Sequence, residues 1–119
     1  MKLLISAGEA SSDFYGAQLI RALQQREPSL RFMGVGGEQM RAAGCEIVVD
    51  AKHLAVVGMT EILSHLPRIY AEFRRLIGAA EAARPALAIV IDSPAFNFRV
   101  ARELHRRGVP VIYFVAPQL

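Results

Sequence analysis

Residues 86–91 read ALAIVI, six apolar residues in succession, and Asp92-Ser93-Pro94-Ala95-Phe96-Asn97 follows at once. A strand with one face in water alternates apolar and polar residues, so a short unbroken run reads as a strand covered on both faces. Such strands belong to parallel sheets with helices on each side. The flanking sequence agrees. Downstream, residues 96–107 carry a helical pattern stopped by Gly108, and residues 109–115 make a further strand ended by Ala116-Pro117. Upstream, Leu66, Ile69, Tyr70, Phe73, Leu76, Ile77 and Ala80 lie on one helical stripe. Pro67 suits the first position of that helix and Pro85 marks its far end.

The first part of the chain repeats the alternation. Residues 2–6 form an apolar strand that runs into Ala7-Gly8. Gly16, Leu19, Ile20 and Leu23 recur at helical spacing, and Pro28 ends that pattern. Residues 31–35 are a second strand broken by Gly36-Gly37, residues 39–43 a short helix stopped by Gly44, and residues 45–49 a third strand rich in β-branched residues. Five strands alternating with helices predict an α/β fold, a doubly wound, Rossmann-like parallel sheet in the order 3-2-1-4-5. Ligands of such sheets sit at the carboxyl ends of the strands, where the order switches. That brings residues 8–13, residues 92–97 and Ala116-Pro117 around one crevice.

Composition narrows the class. The chain has 119 residues, enough for one domain, and 53% of them are hydrophobic, enough for a true core. No apolar run approaches the roughly 18 residues of a membrane span. The run at the start breaks at Ser6 and meets Glu9 and Asp13, unlike a secretory signal, so the reading is cytoplasmic. Cys45 has no disulfide partner and reads as a small buried residue. The net charge of +3 is too small to argue for nucleic acid. Leu119 comes two residues after a strand-ending proline, which predicts a truncated chain.

Two loops carry candidate chemistry. Gly8-Glu9-Ala10-Ser11-Ser12-Asp13 joins the first strand to the first helix, where free N–H groups and a partial positive charge suit a phosphate or a polar sugar. The same residues also serve plain capping, with Ser12 or Asp13 starting the helix. Neither a dinucleotide fingerprint nor a P-loop is present. Gly34-Val35-Gly36-Gly37, with Glu38 beside it, reads as a turn on the cleft floor rather than a cofactor site. Asp92 directly follows the central strand: it is either a general base facing the crevice or a structural residue that orders Ser93-Pro94. Asn97 either caps the next helix or binds substrate. His53, His65 and His105 form no constellation, and no set of residues has metal-ligand spacing. Residues 56–63, an apolar stretch that opens the long helical region and is flanked by Arg68, Arg74 and Arg75, suit core packing and, in part, an anionic lipid surface. Arg99, Arg102, Arg106 and Arg107 make a second basic face.

Taken in order, these motifs resemble the lipid-A-disaccharide synthase family. Gly8-Glu9-Ala10-Ser11-Ser12-Asp13 is close to the family's Gly-Glu-Ala-Ser-Gly-Asp. Gly34-Val35-Gly36-Gly37 is followed by Met40 and Gly44. Residues 54–61 (LAVVGMTE) are similar to Leu-Ala-Val-Met-Gly-x-x-Glu, and residues 91–97 (IDSPAFN) to Ile-Asp-x-Pro-Asp-Phe-Asn. Tyr113-Phe114-Val115-Ala116-Pro117-Gln118 completes the series. Ser12 replaces a glycine and Ala95 an aspartate, which leaves Asp92 as the acid that carries over.

The resemblance implies the N-terminal, acceptor-side half of a GT-B glycosyltransferase, with the C-terminal nucleotide-sugar half absent and the piece alone inactive. It implies a bacterial enzyme, peripheral on the inner face of the inner membrane. That enzyme joins UDP-2,3-diacylglucosamine to 2,3-diacylglucosamine 1-phosphate, giving a β-1,6-linked disaccharide phosphate and UDP, with no cofactor or metal. Asp92 becomes the base, and Gly8, Glu9, Ala10, Ser11, Ser12, Asp13 and Asn97 the substrate-binding residues. Two other readings stay open: a peptidoglycan-type sugar transferase, against which Glu9-Ala10-Ser11 argues, and a receiver-like module with Asp50 as phospho-acceptor.

Overall fold

The computed structural model describes residues 1–54 and 59–115, with the backbone alone for 59–65. Strands β1 (Lys2–Ala7), β2 (Arg31–Gly36), β3 (Glu46–Asp50), β4 (Leu87–Ile91) and β5 (Val111–Phe114) form one parallel sheet ordered β3-β2-β1-β4-β5. That is the order expected from the alternation of elements. The helices are α1 (Ala10–Arg26), α2 (Glu38–Ala42), α3 (Met59–Ala83) and α4 (Pro94–Arg106), with a 3-10 turn at Ala51–His53.

Side chains alternate along each strand, so the sheet has two cores. Leu3, Ile5 and Ala7 of β1 pack with Phe32, Ile89 and Ile91 against Ala17 and Ile20 of α1 and Met40 of α2. Leu4, Met33, Val35, Val49, Ala88 and Val90 point the other way, onto Leu76, Ile77 and Ala80 of α3 and Val100 and Leu104 of α4. Right-handed crossovers explain the division. Connections that step outward from β1 toward β3 put their helices on one face, and those that step through β4 to β5 put them on the other. Cys45 is buried in the α1 face, as expected.

Three local expectations are corrected. Pro67 does not begin its helix: α3 starts at Met59 and holds Pro67 inside. The residues ahead of it (MTEILSHL) include good helix formers, and one missing N–H does not stop a 25-residue helix. The stripe on α3 is also shorter than its spacing suggests, for Leu66 and Tyr70 are 48% and 57% exposed and full burial begins near Leu76. A helix of this length spans about 37 Å and a five-residue strand about 17 Å. The first half of α3 therefore overhangs the carboxyl edge of the sheet. Gly34 is not part of a closing turn. It lies within β2 at φ 144°, where the register with β3 shifts between Gly34 and Val35 and the Ile5 carbonyl leaves no room for a Cβ.

Candidate active site

β1 and β4 are neighbours in the sheet but diverge in chain order, so their carboxyl ends form the switch point. From β1, Gly8 leads to Glu9, the residue that flanks α1 in an extended conformation, and the helix starts at Ala10. The backbone N–H groups of Ala10, Ser11 and Ser12 have no carbonyl one turn earlier to receive them. Glu9, Ala10 and Ser11 are exposed there. From β4, the chain leaves through Asp92 and Ser93, both left-handed (φ 47° and 46°), and Pro94 begins α4. The two loops touch: a Cβ placed on Gly8 would stand 3.2 Å from the Ser93 hydroxyl.

Two successive left-handed residues that carry a Cβ cost about 1–3 kcal/mol each and persist only when their surroundings hold them. Asn97 provides much of that hold. It is fully buried, and its amide donates to the carbonyls of Asp92 (2.8 Å), Ile91 (3.0 Å) and Ser6 (3.2 Å). Its oxygen accepts from the Ser6 hydroxyl at 2.6 Å. Ser6 lies on the α4 face of β1, and a hydroxyl inside a buried strand requires such a partner. Tyr113 adds a tie from β5, donating its hydroxyl to the Asp92 carbonyl at 2.9 Å, while the Asp92 N–H donates to the Phe114 carbonyl at 3.0 Å. Burial first, then the neighbouring Asp92 carboxylate, push the Tyr113 phenol above its ordinary range.

The remaining site residues separate into those at the crevice and those committed elsewhere. Asp13, expected to start α1 or meet substrate, instead caps a different helix. Its buried carboxylate accepts from the N–H groups of Gly37 (2.8 Å), Gln39 (3.0 Å) and Met40 (3.0 Å) at the head of α2. Asn97 caps nothing, and the bonds above occupy its amide. Ser12 is fully buried with a hydroxyl that has no partner among the described residues. The exposed part of the first loop is thus Glu9, Ala10 and Ser11, with Gly8 half-buried. Asp50 is engaged by the Lys52 N–H at 3.0 Å and lies near Arg41. His53 is exposed on the 3-10 turn. Residues 55–58, the side chains of 59–65 and Ala116-Pro117 lie outside the described residues.

Sequence reading gave no role to two buried or part-buried polar residues, Tyr113 and Glu72. Tyr113 stands in the last of the quoted motifs, but its tie to the Asp92 turn was not legible there; parity puts it on the α4 face of β5 with Val111. Glu72 is a buried carboxylate on α3, 3.6 Å from Arg75, next to Phe73, whose ring meets Phe96 of α4 edge-on at 6.2 Å. A separate cavity of about 380 Å³ opens at the other end of the sheet, lined by Ala80, Glu81, Arg84, Leu104, Arg107 and Val109. Its Arg107 is already paired with Glu103 and Glu81, whose hydrogen bonds hold the guanidinium above its ordinary range. It is remote from the switch point. Among the described residues, no three His, Cys, Asp or Glu side chains gather as metal ligands would.

Known proteins resemble this chain along its length. The profile of the family described as lipid-A-disaccharide synthetase matches residues 3–119. The lipid-A-disaccharide synthase of Koribacter versatilis is 54% identical over 120 residues, and that of Solibacter usitatus 53% identical over 117. These alignments take in 100% and 98% of this chain but 31% of each relative, so the chain spans about a third of their length. In structure, a UGT transferase from Siraitia grosvenorii solved in complex with UDP superposes with a TM-score of 0.65 at 11% identity. That match covers 95% of this chain and 27% of the transferase, and it supports the Rossmann-like fold alone. The sequence matches decide kinship: the chain belongs to the lipid-A-disaccharide synthase family.

Proposed function

We propose that this chain is the acceptor-side domain of a glycosyltransferase that builds the lipid A disaccharide. The enzyme joins UDP-2,3-diacylglucosamine to 2,3-diacylglucosamine 1-phosphate. Asp92 takes the proton from the acceptor 6-hydroxyl, and that oxygen attacks the anomeric carbon of the donor. The bond from that carbon to the UDP oxygen breaks, UDP leaves with the electron pair, and the configuration inverts. The donor's nucleotide is held by a second domain. Gly8, Glu9, Ala10 and Ser11 offer backbone N–H groups and polar side chains to a phosphate or sugar hydroxyl. One observation carries the reading: a strained Asp92-Ser93 turn, tied down by Asn97 and Tyr113, stands at the switch point of a family member. Strain of this kind concentrates at functional sites.

Membrane association belongs to the same proposal. On α3 the exposed Leu66 and Tyr70 share a face with Arg74, which lies over the Tyr70 ring at 5.9 Å, while the exposed Arg68 and Arg75 lie on the other side of the helix. Exposed apolar side chains with a cation on the same face and further arginines on the flank suit diacylated, phosphorylated substrates at a bilayer face. No described helix is long and apolar enough to cross a membrane.

The test of the reaction is product analysis. The complete protein, given both substrates, should yield the disaccharide phosphate and UDP in equal amounts, and this chain alone should yield neither. Turnover by the isolated chain would overturn the two-domain assignment. A folded complete protein that forms no disaccharide would overturn the reaction.

A further inference from the structure

We propose that Tyr113 is a positioning residue for this transfer: its hydroxyl fixes the main chain at Asp92 and so aims the Asp92 carboxylate. The inference rests on reading Asp92 as the base. The Asp92 carbonyl accepts two hydrogen bonds, from Asn97 at 2.8 Å and from Tyr113 at 2.9 Å. These ties differ in kind. Asn97 sits five residues along on α4 and also holds the Ile91 carbonyl, so it belongs to the strand–turn–helix unit that carries Asp92. Tyr113 comes from another strand, 21 residues away, and references the turn to the sheet.

The geometry gives that second tie leverage. A main chain held at φ 47° and then 46° relaxes when a restraint is released, and rotation about the Asp92 backbone swings its carboxylate. The Tyr113 ring is itself held against Phe98, with centroids 5.4 Å apart. Replacing Tyr113 by Phe keeps that packing and deletes the bond to the Asp92 carbonyl. A base displaced by a fraction of an ångström still ionises and still meets the acceptor, but poorly aligned. The loss then falls on the chemical step and not on binding.

The experiment is a double-mutant cycle in the complete enzyme with Tyr113→Phe, Asp92→Asn and the pair. Tyr113→Phe should lower kcat by about tenfold, short of the roughly hundredfold cost of a full ångström of misplacement. The acceptor KM should stay within about twofold, and the thermal midpoint should fall by no more than about 4 °C. In the Asp92→Asn background the same change should alter kcat by less than about twofold, because no base remains to be aimed. An unchanged kcat in Tyr113→Phe overturns the positioning role and leaves the base assignment standing. An equal loss in both backgrounds also overturns it, since the hydroxyl then acts through something other than Asp92. Near-normal turnover in Asp92→Asn alone removes the base assignment and this inference with it.

Discussion

Asp92, Ser93 and Cys45 show how differently the fold treats its reactive side chains. The first two stand at a strained strand exit on the carboxyl edge of the sheet. Cys45 is sealed in the α1 core, where burial, then Glu46 and Asp13, push its thiol from 9.0 up to about 12. The thiolate is the reactive form, so the folded protein should resist thiol reagents at pH 8, and labelling should track unfolding. The folded value lies above the unfolded one, so the thiol's contribution to stability is complete below pH 9 and is lost as pH rises toward 12. Rapid labelling of native protein at pH 8, measured by absorbance or mass, would refute this burial. The sequence already pointed to a buried cysteine, because a lone Cys beside β-branched residues has few other places to go. It did not reveal the Asp92–Ser93 conformation: left-handed φ at two non-glycine residues has no local signature, and Asn97 and Tyr113 enforce it from outside the turn.

At the scale of elements, the helix of five residues, α2, depends on a side chain 24 residues before its capping residue Gly37. Asp13 receives three N–H groups at the head of α2, and a Cβ on Gly37 would stand 2.9 Å from the Asp13 carboxylate. So short a helix has little stability of its own. Replacing Asp13 by Ala should cost about 2 kcal/mol in urea unfolding, and Asp13→Asn about half of that. A loss below about 0.5 kcal/mol would mean that the cap contributes nothing beyond an ordinary surface residue. Periodicity and punctuation located the strands and α-helices to within a few residues, except where a long-range effect intervened, and did not foresee the 3-10 turn at Ala51–His53. Pro67 looked like a helix start because its local signal is strong, and the length of α3 overrode it. Asp13 looked like the cap of its own helix because sequence spacing cannot see α2 folding back against α1.

At the scale of the molecule, sheet order and the two-sided core were legible because buried parallel strands leave unbroken apolar runs such as residues 86–91. The overhang of α3 was not, since helical spacing alone does not tell where the sheet ends. The exposed surface of α3 carries the whole-molecule prediction. Vesicles containing anionic lipid should co-float the protein, and replacing Arg68, Arg74 and Arg75 together by Gln should weaken this, as should added salt. Equal binding to neutral vesicles would leave the apolar side chains and remove the arginines from the account.

The family assignment and the strained switch-point turn meet in one claim, that Asp92 is the base. Asp92→Asn in the complete enzyme keeps the side chain's shape and most of its hydrogen bonding but lacks a basic carboxylate. The measurement is steady-state turnover at saturating donor with the acceptor varied, on protein whose melting curve shows it to be folded. The account predicts that kcat falls by about 10²–10⁴-fold, the usual worth of a general base, with little change in the acceptor KM. A folded Asp92→Asn enzyme with near-normal kcat would contradict it.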